Sequence, residues 1–264
     1  MMRYCALFSG SSGNSTYVAT AQGGLLVDAG VSAKRIELAL TERQIDPKSI
    51  RAVLVTHEHV DHVQGLKVLC KRYGWPVLAS VGTLDALAQD GRVSPEQRLY
   101  ALTNAKSVTV GDMKITPFAT PHDSRESMGF RFDAEDGRSL AVATDMGYMT
   151  QEVLDAICGC QTVHIESNHD PVMLRDGAYS YPLKMRILGE RGHLSNDACA
   201  EVLPTLLEAG ATRFALSHLS AHNNTPELAL RTASASLACV GASVGRDCLL
   251  WVSEPTGTQP IVYF

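Results

Sequence analysis

The sequence predicts an α/β fold in which two β-sheets pack face to face and helices cover their outer sides. Short apolar runs of strand length alternate with amphipathic stretches of helical period; the first half is rich in strands, and the second half alternates strand with helix. With 264 residues, of which 45% are hydrophobic and 19% charged, the chain can build a substantial core. Because no internal repeat and no linker-like segment divides it, we expect one domain over residues 1–264.

Each predicted strand is a short apolar or β-branched run that ends at turn residues. In chain order these strands are Tyr17–Thr20, Gly24–Asp28, Ala52–Thr56, Pro76–Ala79, Ser107–Val110, Met113–Ala119, Gly129–Phe132, Ser139–Thr144, Gln161–Ile165, Arg213–Ser217 and Leu249–Val252. Each predicted helix has apolar residues at helical spacing. The helices are Ser32–Arg43, Val63–Tyr73, Gly82–Gln89, Gln151–Ile157, Tyr181–Glu190, Asn196–Ala209 and Thr225–Leu237. Residues suited to capping a helix N-terminus stand at four of these starts: Ser32, Thr150, Ser195 and Thr225.

The apolar segments of the chain are too short for targeting or membrane insertion. The N-terminal segment MMRYCALFSGSSGNS has only a brief apolar stretch, and it lacks the apolar centre and cleavage site of a signal peptide. Other apolar runs, such as AVLVT, have strand length, far short of the roughly 20 residues that a membrane span needs. We therefore expect a cytoplasmic protein without membrane association.

The cysteines indicate a reducing compartment, whereas the net charge does not identify a binding partner. The seven cysteines are odd in number and scattered over predicted strands and helices, which is typical of reduced thiols. The close pair Cys158-Gly-Cys160 is spaced too tightly for a usual zinc motif. The net charge of −5 argues against a highly basic nucleic-acid-binding domain. An enzyme that gathers carboxylates around metal ions also carries negative charge, so composition leaves the partner open.

Polar residues collect where the predicted strands end. Strand ends on an α/β scaffold are where functional sites are built. The residues at or just past such ends are Asp28, Thr56, His122, Asp145, Glu166 and His218.

The strongest motif is His57-Glu58-His59-Val60-Asp61-His62, which follows the apolar strand AVLVT. In an extended loop, residues i and i+2 point the same way, so His57 and His59 can hold one ion. Asp61 and His62 follow at a turn into the next helix and can reach a second ion. Imidazole and carboxylate ligands together suit Zn, Mn or Fe.

Three further ligand candidates each follow an apolar strand directly: His122 in FATPHD, Asp145 in AVATDMG and His218 in FALSHLS. Asp145 is the best candidate for a carboxylate that bridges two cations about 3.5–4 Å apart. Asp28 in LLVDAG is either a turn residue or a residue that orients a metal ligand.

Taken in order, these residues resemble the five signature motifs of the metallo-β-lactamase superfamily. The resemblance implies an αββα four-layer sandwich and two metal ions. It places one ion on His57, His59, His122 and Asp145, and the second on Asp61, His62, Asp145 and His218. The fourth motif has Asp145 where true β-lactamases have Cys, so the resemblance is to the phosphodiesterase and glyoxalase-like branches rather than to antibiotic hydrolases.

More specific strings are similar to the bacterial YycJ/WalJ family. They are Ser9–Ser15, Glu166–Asp170, Gly192–Asn196 and His218–Asn224. This resemblance implies a 5′-to-3′ exonuclease acting on DNA, with a role in DNA repair and with repair proteins as possible partners. Single-stranded DNA is favoured because of the basic and aromatic residues described below. The predicted cofactors are two divalent ions, Mn or Zn, with Fe as a further possibility.

Several residues are candidates for binding the substrate. The Ser9–Ser15 loop, with Ser11, Ser12 and Asn14, is either a phosphate nest or an ordinary turn. Ser195 begins a helix whose N-terminus favours phosphate. Glu166 and the string around His193 are distantly similar to motifs of β-CASP nucleases, although the chain has no insert of β-CASP size. His169 and His222 are either substrate contacts or surface residues, whereas we interpret His164, within an apolar strand, as structural.

A basic and aromatic segment lies between Glu166 and His193. Cations that hold a backbone, with aromatic rings on which bases stack, suit single-stranded nucleic acid, and a solvated helix face is the alternative. The residues are Arg175, Tyr179, Tyr181, Lys184, Arg186 and Arg191.

The predicted reaction is phosphodiester hydrolysis by a metal-bridging hydroxide that attacks phosphorus in line. Asp61 orients that hydroxide or takes its proton. His193 is the first candidate for protonating the leaving 3′-oxygen, and His169 is the second.

Three alternatives use the same ligands differently. The main alternative is a small-molecule hydrolase acting on a thioester, lactone or cyclic nucleotide. A flavin-partnered diiron oxidoreductase is disfavoured because no appended flavodoxin-like domain fits in this length. A non-enzymatic metal-binding regulator is disfavoured because it has little need of a complete dinuclear ligand set.

Overall fold

The computed structural model describes residues 1–256 and 259–264, and its strands form two seven-stranded sheets with helices between the strands in sequence. The strands are β1 Arg3–Phe8, β2 Ser15–Thr20, β3 Gly23–Val27, β4 Ile50–Leu54, β5 Val77–Ser80, β6 Leu99–Leu102, β7 Val108–Val110, β8 Met113–Ala119, β9 Met128–Ala134, β10 Ser139–Ala143, β11 Thr162–Glu166, β12 Arg213–Ser217, β13 Leu249–Val252 and β14 Val262–Tyr263. The helices are α1 Ala33–Glu42, α2 Val60–Val63, α3 Leu66–Tyr73, α4 Val81–Gln89, α5 Gln151–Ile157, α6 Pro171–Asp176, α7 Tyr181–Leu188, α8 Asn196–Glu208 and α9 Pro226–Cys239.

By the packing of their backbones, the residues form two compact units. Unit 1 comprises Met1–Pro117, Ser124–Arg138 and Glu254–Phe264, and unit 2 comprises Phe118–Asp123 and Ser139–Ser253. The expectation of one domain over the whole chain stays a prediction.

Unit 1 is built on the first sheet, whose strand order is β14-β1-β2-β3-β4-β5-β6. In this order, β14, β1, β2 and β3 pair antiparallel with one another, whereas β3, β4, β5 and β6 pair in parallel. Its core includes Leu26 and Val53 from the sheet, together with Ile36 and Leu40 from α1 and Leu69 from α3. The parallel strands direct the ends of β3 and β4 to one edge, where Asp28 and Thr56 follow them.

Unit 2 contains four parallel strands in the order β13-β12-β11-β10. Its core joins Val163 of β11 and Phe214 of β12 with Leu203 of α8 and Leu237 of α9. Near-continuous apolar strands are typical of parallel sheets that are buried on both faces. The carboxyl ends of β10, β11 and β12 lie together as a result.

Most predicted elements are present, with two informative differences. The predicted helix Val63–Tyr73 is divided between α2, which ends at Val63, and α3, which begins at Leu66. Gly65 stands between them, where a Cβ would lie 2.4 Å from the Val31 carbonyl oxygen. Thr150, Ser195 and Thr225 cap α5, α8 and α9 as predicted. Ser32 precedes α1, but its side chain accepts no capping hydrogen bond from the described residues, so this cap was wrong.

Two expectations from the sequence concern the cysteines and membrane insertion. All seven cysteines are free thiols, in agreement with the sequence pattern. Burial raises the pKa of the Cys70 and Cys199 thiols to about 12, which makes both unreactive at neutral pH. Among the residues that the structure describes, no helix combines the length and apolarity needed to cross a bilayer.

Candidate metal centre

The site candidates occupy the strand ends that the sequence indicated, and three of them have unusual backbone conformations. Asp28 follows β3 with φ 64°, Asp145 follows β10 with φ 61°, and His218 follows β12 with φ 57°. Residues other than glycine seldom adopt this left-handed region, and such strain collects at functional sites. Each turn aims a ligand-type side chain away from its strand.

In unit 1, Asp28 organises the strand end that carries the histidine motif. Its buried carboxylate accepts hydrogen bonds from the Thr56 amide at 2.8 Å, the Thr56 hydroxyl at 2.9 Å and His62 Nδ1 at 2.8 Å. Because the Thr56 hydroxyl donates to Asp28, its oxygen accepts from His57 Nδ1 at 3.0 Å. Burial raises the pKa of Asp28, while His62 and the bonds from Thr56 act in the opposite direction.

His57, His59 and His62 form what we call the histidine cluster. The Nε2 atom of His57 lies 3.0 Å from Nδ1 of His59, close to the roughly 3.3 Å expected between two nitrogens bound to one zinc ion. Nε2 of His62 lies 3.5 Å from an oxygen of Asp61, whose side chain is partly exposed. The donor set fits a divalent metal, with one pair at His57 and His59 and a second pair at Asp61 and His62.

The Ser9–Ser15 loop touches this cluster through Asn14. The Asn14 amide nitrogen lies 3.1 Å from His62 Nε2, and the Asn14 backbone amide donates to the Asp61 carbonyl at 2.8 Å. Gly30 donates to the Asn14 carbonyl at 2.7 Å, and a Cβ at Gly30 would fall 1.7 Å from the Asp61 carbonyl oxygen. Only glycine permits this approach, a requirement that sequence reasoning missed. Ser11 and Ser12 are exposed on the same loop.

In unit 2, Glu166 has the role that Asp28 has in unit 1. One of its oxygens accepts hydrogen bonds from His193 Nδ1 at 2.8 Å and His218 Nδ1 at 2.9 Å. The other accepts from the amides of Met146 at 2.9 Å and Leu194 at 3.2 Å. Burial opposes its ionisation, but His193 and His218 together outweigh burial and hold the pKa of Glu166 well below its usual range. A carboxylate this enclosed positions the two histidines.

Asp145 lies beside these histidines. Its Oδ1 is 3.4 Å from His218 Nδ1 and 3.7 Å from His193 Nδ1, and potential ligand atoms of Asp145, Glu166, His193 and His218 all lie within 4.8 Å of one another. We call these four residues the Glu166 cluster. Because Glu166 accepts the Nδ1–H groups of both histidines, Asp145 is the carboxylate of this cluster that is left for a metal ion.

His122 is anchored in the same way as the other histidines. Its Nδ1 donates to the Gly192 carbonyl at 3.0 Å, so Nε2 keeps its lone pair, and this nitrogen lies 3.9 Å from Asp145. Burial lowers the pKa of His122, although Asp145 partly offsets this effect. A neutral imidazole is the form that binds a metal.

Buried asparagine side chains form hydrogen bonds that hold the backbone next to the Glu166 cluster. Asn168 donates to the His218 carbonyl at 2.8 Å and so holds the strained His218 backbone. Asn224 donates to the carbonyls of Ser167 at 2.9 Å and Asn168 at 3.1 Å, and its amide also pairs with Asn196 at 2.9 Å. These residues stand in strings that the sequence singled out, but no local signal assigns them a supporting role.

The predicted substrate-binding residues of unit 2 have diverse surroundings. His169 is buried, and neither of its ring nitrogens has a hydrogen-bond partner among the described residues; burial lowers its pKa to about 4. Ser195 accepts from the Ala198 amide at 3.1 Å as the cap of α8. Arg186 is ion-paired with Asp123 at 2.5 Å.

The basic and aromatic segment is largely exposed, as expected for either a nucleic-acid surface or a solvated helix face. Tyr181 is 74% exposed at the start of α7. Lys184 donates to the Arg175 carbonyl at 2.7 Å, and Arg191 donates to the His122 carbonyl at 2.9 Å.

Two other histidines belong to neither cluster. His164, in β11, is buried and lies 3.0 Å from the Ser217 hydroxyl, as a structural residue would. His222 is exposed and packs edge-on against Tyr179.

Comparison with known proteins agrees with this arrangement. Residues 24–219, which include both clusters, match the family described as Beta-lactamase superfamily domain. The chain is 37% identical over 262 residues to exodeoxyribonuclease WalJ of Streptococcus pneumoniae serotype 2, covering 98% of this chain and 97% of WalJ. It is 35% identical over 264 residues to exodeoxyribonuclease YycJ of Bacillus anthracis, covering 99% of each. Among solved structures, the metallo-β-lactamase fold protein YhfI of Bacillus subtilis has a TM-score of 0.72 at 14% identity, with 100% of each chain covered, which confirms the predicted fold class.

Proposed function

The chain belongs to the metallo-β-lactamase superfamily, in the group of WalJ and YycJ, and from this we infer that it is a metal-dependent exodeoxyribonuclease. The observation that carries this inference is the full-length similarity to two exodeoxyribonucleases. We propose in addition that the enzyme degrades single-stranded DNA from the 5′ end, in the cytoplasm, as part of DNA repair and alongside repair proteins.

We propose two divalent ions as cofactors, Mn or Zn, with Fe as a further possibility. The ligands would be His57, His59, His122 and Asp145 for one ion, and Asp61, His62, Asp145 and His218 for the other. Support comes from the anchored Nδ1 atoms of both units, which leave Nε2 of each such imidazole for coordination. When bound, the two ions lower the pKa of coordinated water and neutralise negative charge on the phosphate.

Asp61 and His193 are the proposed proton-transfer residues. Asp61 is partly exposed, so one of its oxygens can accept the proton of the attacking water. The His193 side chain is 19% exposed, and its Nδ1 donates to Glu166, which orients the ring. Its Nε2 can then donate a proton to the leaving 3′-oxygen. His169 is the weaker candidate because it is buried.

Substrate binding is proposed for two surfaces. In the Ser9–Ser15 loop, the exposed hydroxyls of Ser11 and Ser12 would receive the terminal 5′ phosphate, while Asn14 holds the loop against His62. In unit 2, Arg186 and the exposed Tyr181 would hold the backbone and stack a base. Ser195, at the N-terminus of α8, would face a phosphate.

Substitution of a ligand tests the chemistry. We expect Asp145→Ala and His59→Ala to abolish hydrolysis of single-stranded DNA while keeping the wild-type circular dichroism, with a melting temperature that falls only by the contribution of the lost metal ion. Asp155→Ala, which changes an exposed carboxylate on α5, is the matched control and should retain full activity. Full activity of either ligand variant after metal stripping would refute the proposal.

The general acid has its own test. His193→Ala should lower kcat by about 10² to 10⁴-fold with little change in KM, because the lost proton transfer acts in the transition state. An unchanged rate would remove His193 as the acid. A preference of the wild-type enzyme for a small phosphodiester over single-stranded DNA would support the small-molecule alternative.

A further inference from the structure

A polar cleft of about 490 Å³ lies in unit 1, away from the histidine cluster. It opens where β3 and β4 begin, at Gly23 and Arg51, whereas Asp28 and Thr56 follow the opposite ends of these strands. A five-residue strand spans about 16 Å, so the cleft and the histidine cluster occupy opposite edges of one sheet.

The lining of this cleft carries an excess of positive charge. Arg3, Lys48 and Arg51 line it, and Asp46 is the acidic residue among its lining residues. Asp46 accepts a hydrogen bond from the Lys48 backbone amide at 2.9 Å. Within residues 1–256 and 259–264, none of the three cations forms an ion pair, and three cations against one carboxylate leave the cleft with a net positive charge.

Backbone carbonyls hold both guanidinium groups in place. Arg3 donates to the Thr20 carbonyl at 2.6 Å, and Arg51 donates to the Gln22 carbonyl through Nε at 3.2 Å and Nη2 at 2.7 Å. Each contact leaves other N–H groups of the same guanidinium for a ligand, because a guanidinium has five. Side chains that are already oriented lose less entropy on binding.

Gly23 makes the position of Arg51 possible. It has φ +144°, and a Cβ at this position would lie 2.8 Å from Arg51 Nε and 3.0 Å from its Cγ. The turn between β2 and β3 thus lacks the side chain that would displace the guanidinium. Tyr17, which is buried, forms part of the wall, and the Arg3 guanidinium lies 5.9 Å from the centre of its ring.

We propose that this cleft binds the phosphate group of a nucleotide or of a nucleic-acid backbone, as a second site apart from the metal centre. Oriented guanidinium groups and an ammonium in a cleft of net positive charge are the donors that recognise phosphate oxygens. The volume exceeds that of inorganic phosphate and accommodates a mononucleotide. The proposal does not depend on the exonuclease assignment.

Calorimetric titration tests the site in the full-length Asp145→Ala protein with chelator present, so that phosphate on the metal centre does not contribute. The two probes are dAMP, which carries a terminal monoester, and an oligodeoxynucleotide without terminal phosphates, which carries diesters only. We expect Arg51→Ala, added to this background, to weaken binding of at least one probe about tenfold, as the loss of a charge-assisted hydrogen bond predicts. Weakening for dAMP alone identifies a free nucleotide as the ligand, and weakening for the oligonucleotide identifies the DNA backbone.

The matched control is Arg246→Ala, because the Arg246 guanidinium is exposed and already paired with Asp247 at 2.8 Å. It should leave the affinity for both probes unchanged. Lys48→Ala repeats the test with another exposed cation of the cleft, and melting temperatures establish that each variant is folded. Equal affinities of the Arg51→Ala, Lys48→Ala and Arg246→Ala proteins, or no binding of either probe to the parent, would overturn the proposal.

Discussion

In both units, a buried acceptor at Nδ1 determines which nitrogen of an imidazole is presented to a ligand. Asp28 accepts from His62, and Glu166 accepts from His193 and His218. Because the carboxylate accepts, Nδ1 carries the proton and Nε2 keeps the lone pair. The tautomer and the ring orientation are therefore set by the protein before a metal ion binds.

Asp28→Asn tests this effect at a single residue. We expect the variant to bind Zn or Mn about 10 to 100-fold more weakly, since the amide removes the charge that holds His62 and Thr56. Competition with a chromophoric chelator measures the affinity. Asp155→Asn, on an exposed helix face, is the control, and equal affinities of the two variants would show that Asp28 does not tune the site.

The ligand motif could be predicted from sequence, and Asp28 was a candidate for orienting a ligand, whereas the contacts of Glu166 and Gly30 could not be predicted. His57 and His59 are two positions apart, and local geometry alone brings them to one side. Glu166 contacts His218, which is 52 positions away in sequence. Gly30 lies against the Asp61 backbone only in the folded chain. Such contacts have no signature in spacing or composition.

At the scale of elements, hydrogen bonds at helix starts separate real caps from apparent ones. Thr225 accepts from the Leu228 amide at 3.2 Å at the start of α9. Ser32 stands at the corresponding place before α1, yet its side chain makes no capping bond among the described residues. The sequence does not distinguish the two residues, because capping depends on the side-chain rotamer, which the folded structure determines.

Two alanine substitutions distinguish these positions. We expect Thr225→Ala to lower the free energy of unfolding by about 1 kcal/mol, the usual cost of a lost N-cap. Ser32→Ala should change it by less than about 0.5 kcal/mol, as ordinary exposed substitutions do. Urea denaturation of both variants measures the difference, and equal losses would contradict the observed cap geometry.

Buried parallel strands were predicted well, whereas the edge strands β6 and β14 and the buried strand β1 were missed. β10, β11 and β12 are nearly continuous apolar runs that burial on both faces favours. β6 exposes three of its four residues, and β14 has only two, so neither carries an apolar pattern. Their pairing depends on neighbouring strands rather than on their own sequence.

At the scale of the whole molecule, stability depends on pH through His164. Burial lowers the pKa of His164 to about 3, from an ordinary value of 6.5, and His218 adds to this effect. The native ring stays neutral where the unfolded chain takes up a proton, so stability falls as pH drops from about 6.5 toward 3. The slope from this residue is at most about 1.4 kcal/mol per pH unit.

His164→Gln removes this titration. Between pH 7.5 and pH 5, we expect the free energy of unfolding to fall less steeply for the variant than for the wild type. The two slopes should differ by at most the contribution of one bound proton, whatever the absolute stability of the variant. Urea unfolding at a series of pH values, with chelator in every sample, gives the two slopes. Parallel curves for variant and wild type would show that His164 does not titrate on unfolding.

We propose that the whole chain acts as a metal-dependent exodeoxyribonuclease with 5′-to-3′ polarity. A time course on 5′-labelled and 3′-labelled single-stranded DNA, with Mn, Zn or chelator and beside Asp145→Ala, tests it most directly. We predict release of the 5′ label first and stepwise shortening of the 3′-labelled strand, only with metal and only in the wild-type protein. Cleavage that persists in chelator or in Asp145→Ala, or no cleavage of DNA with two ions bound per chain, would contradict this account.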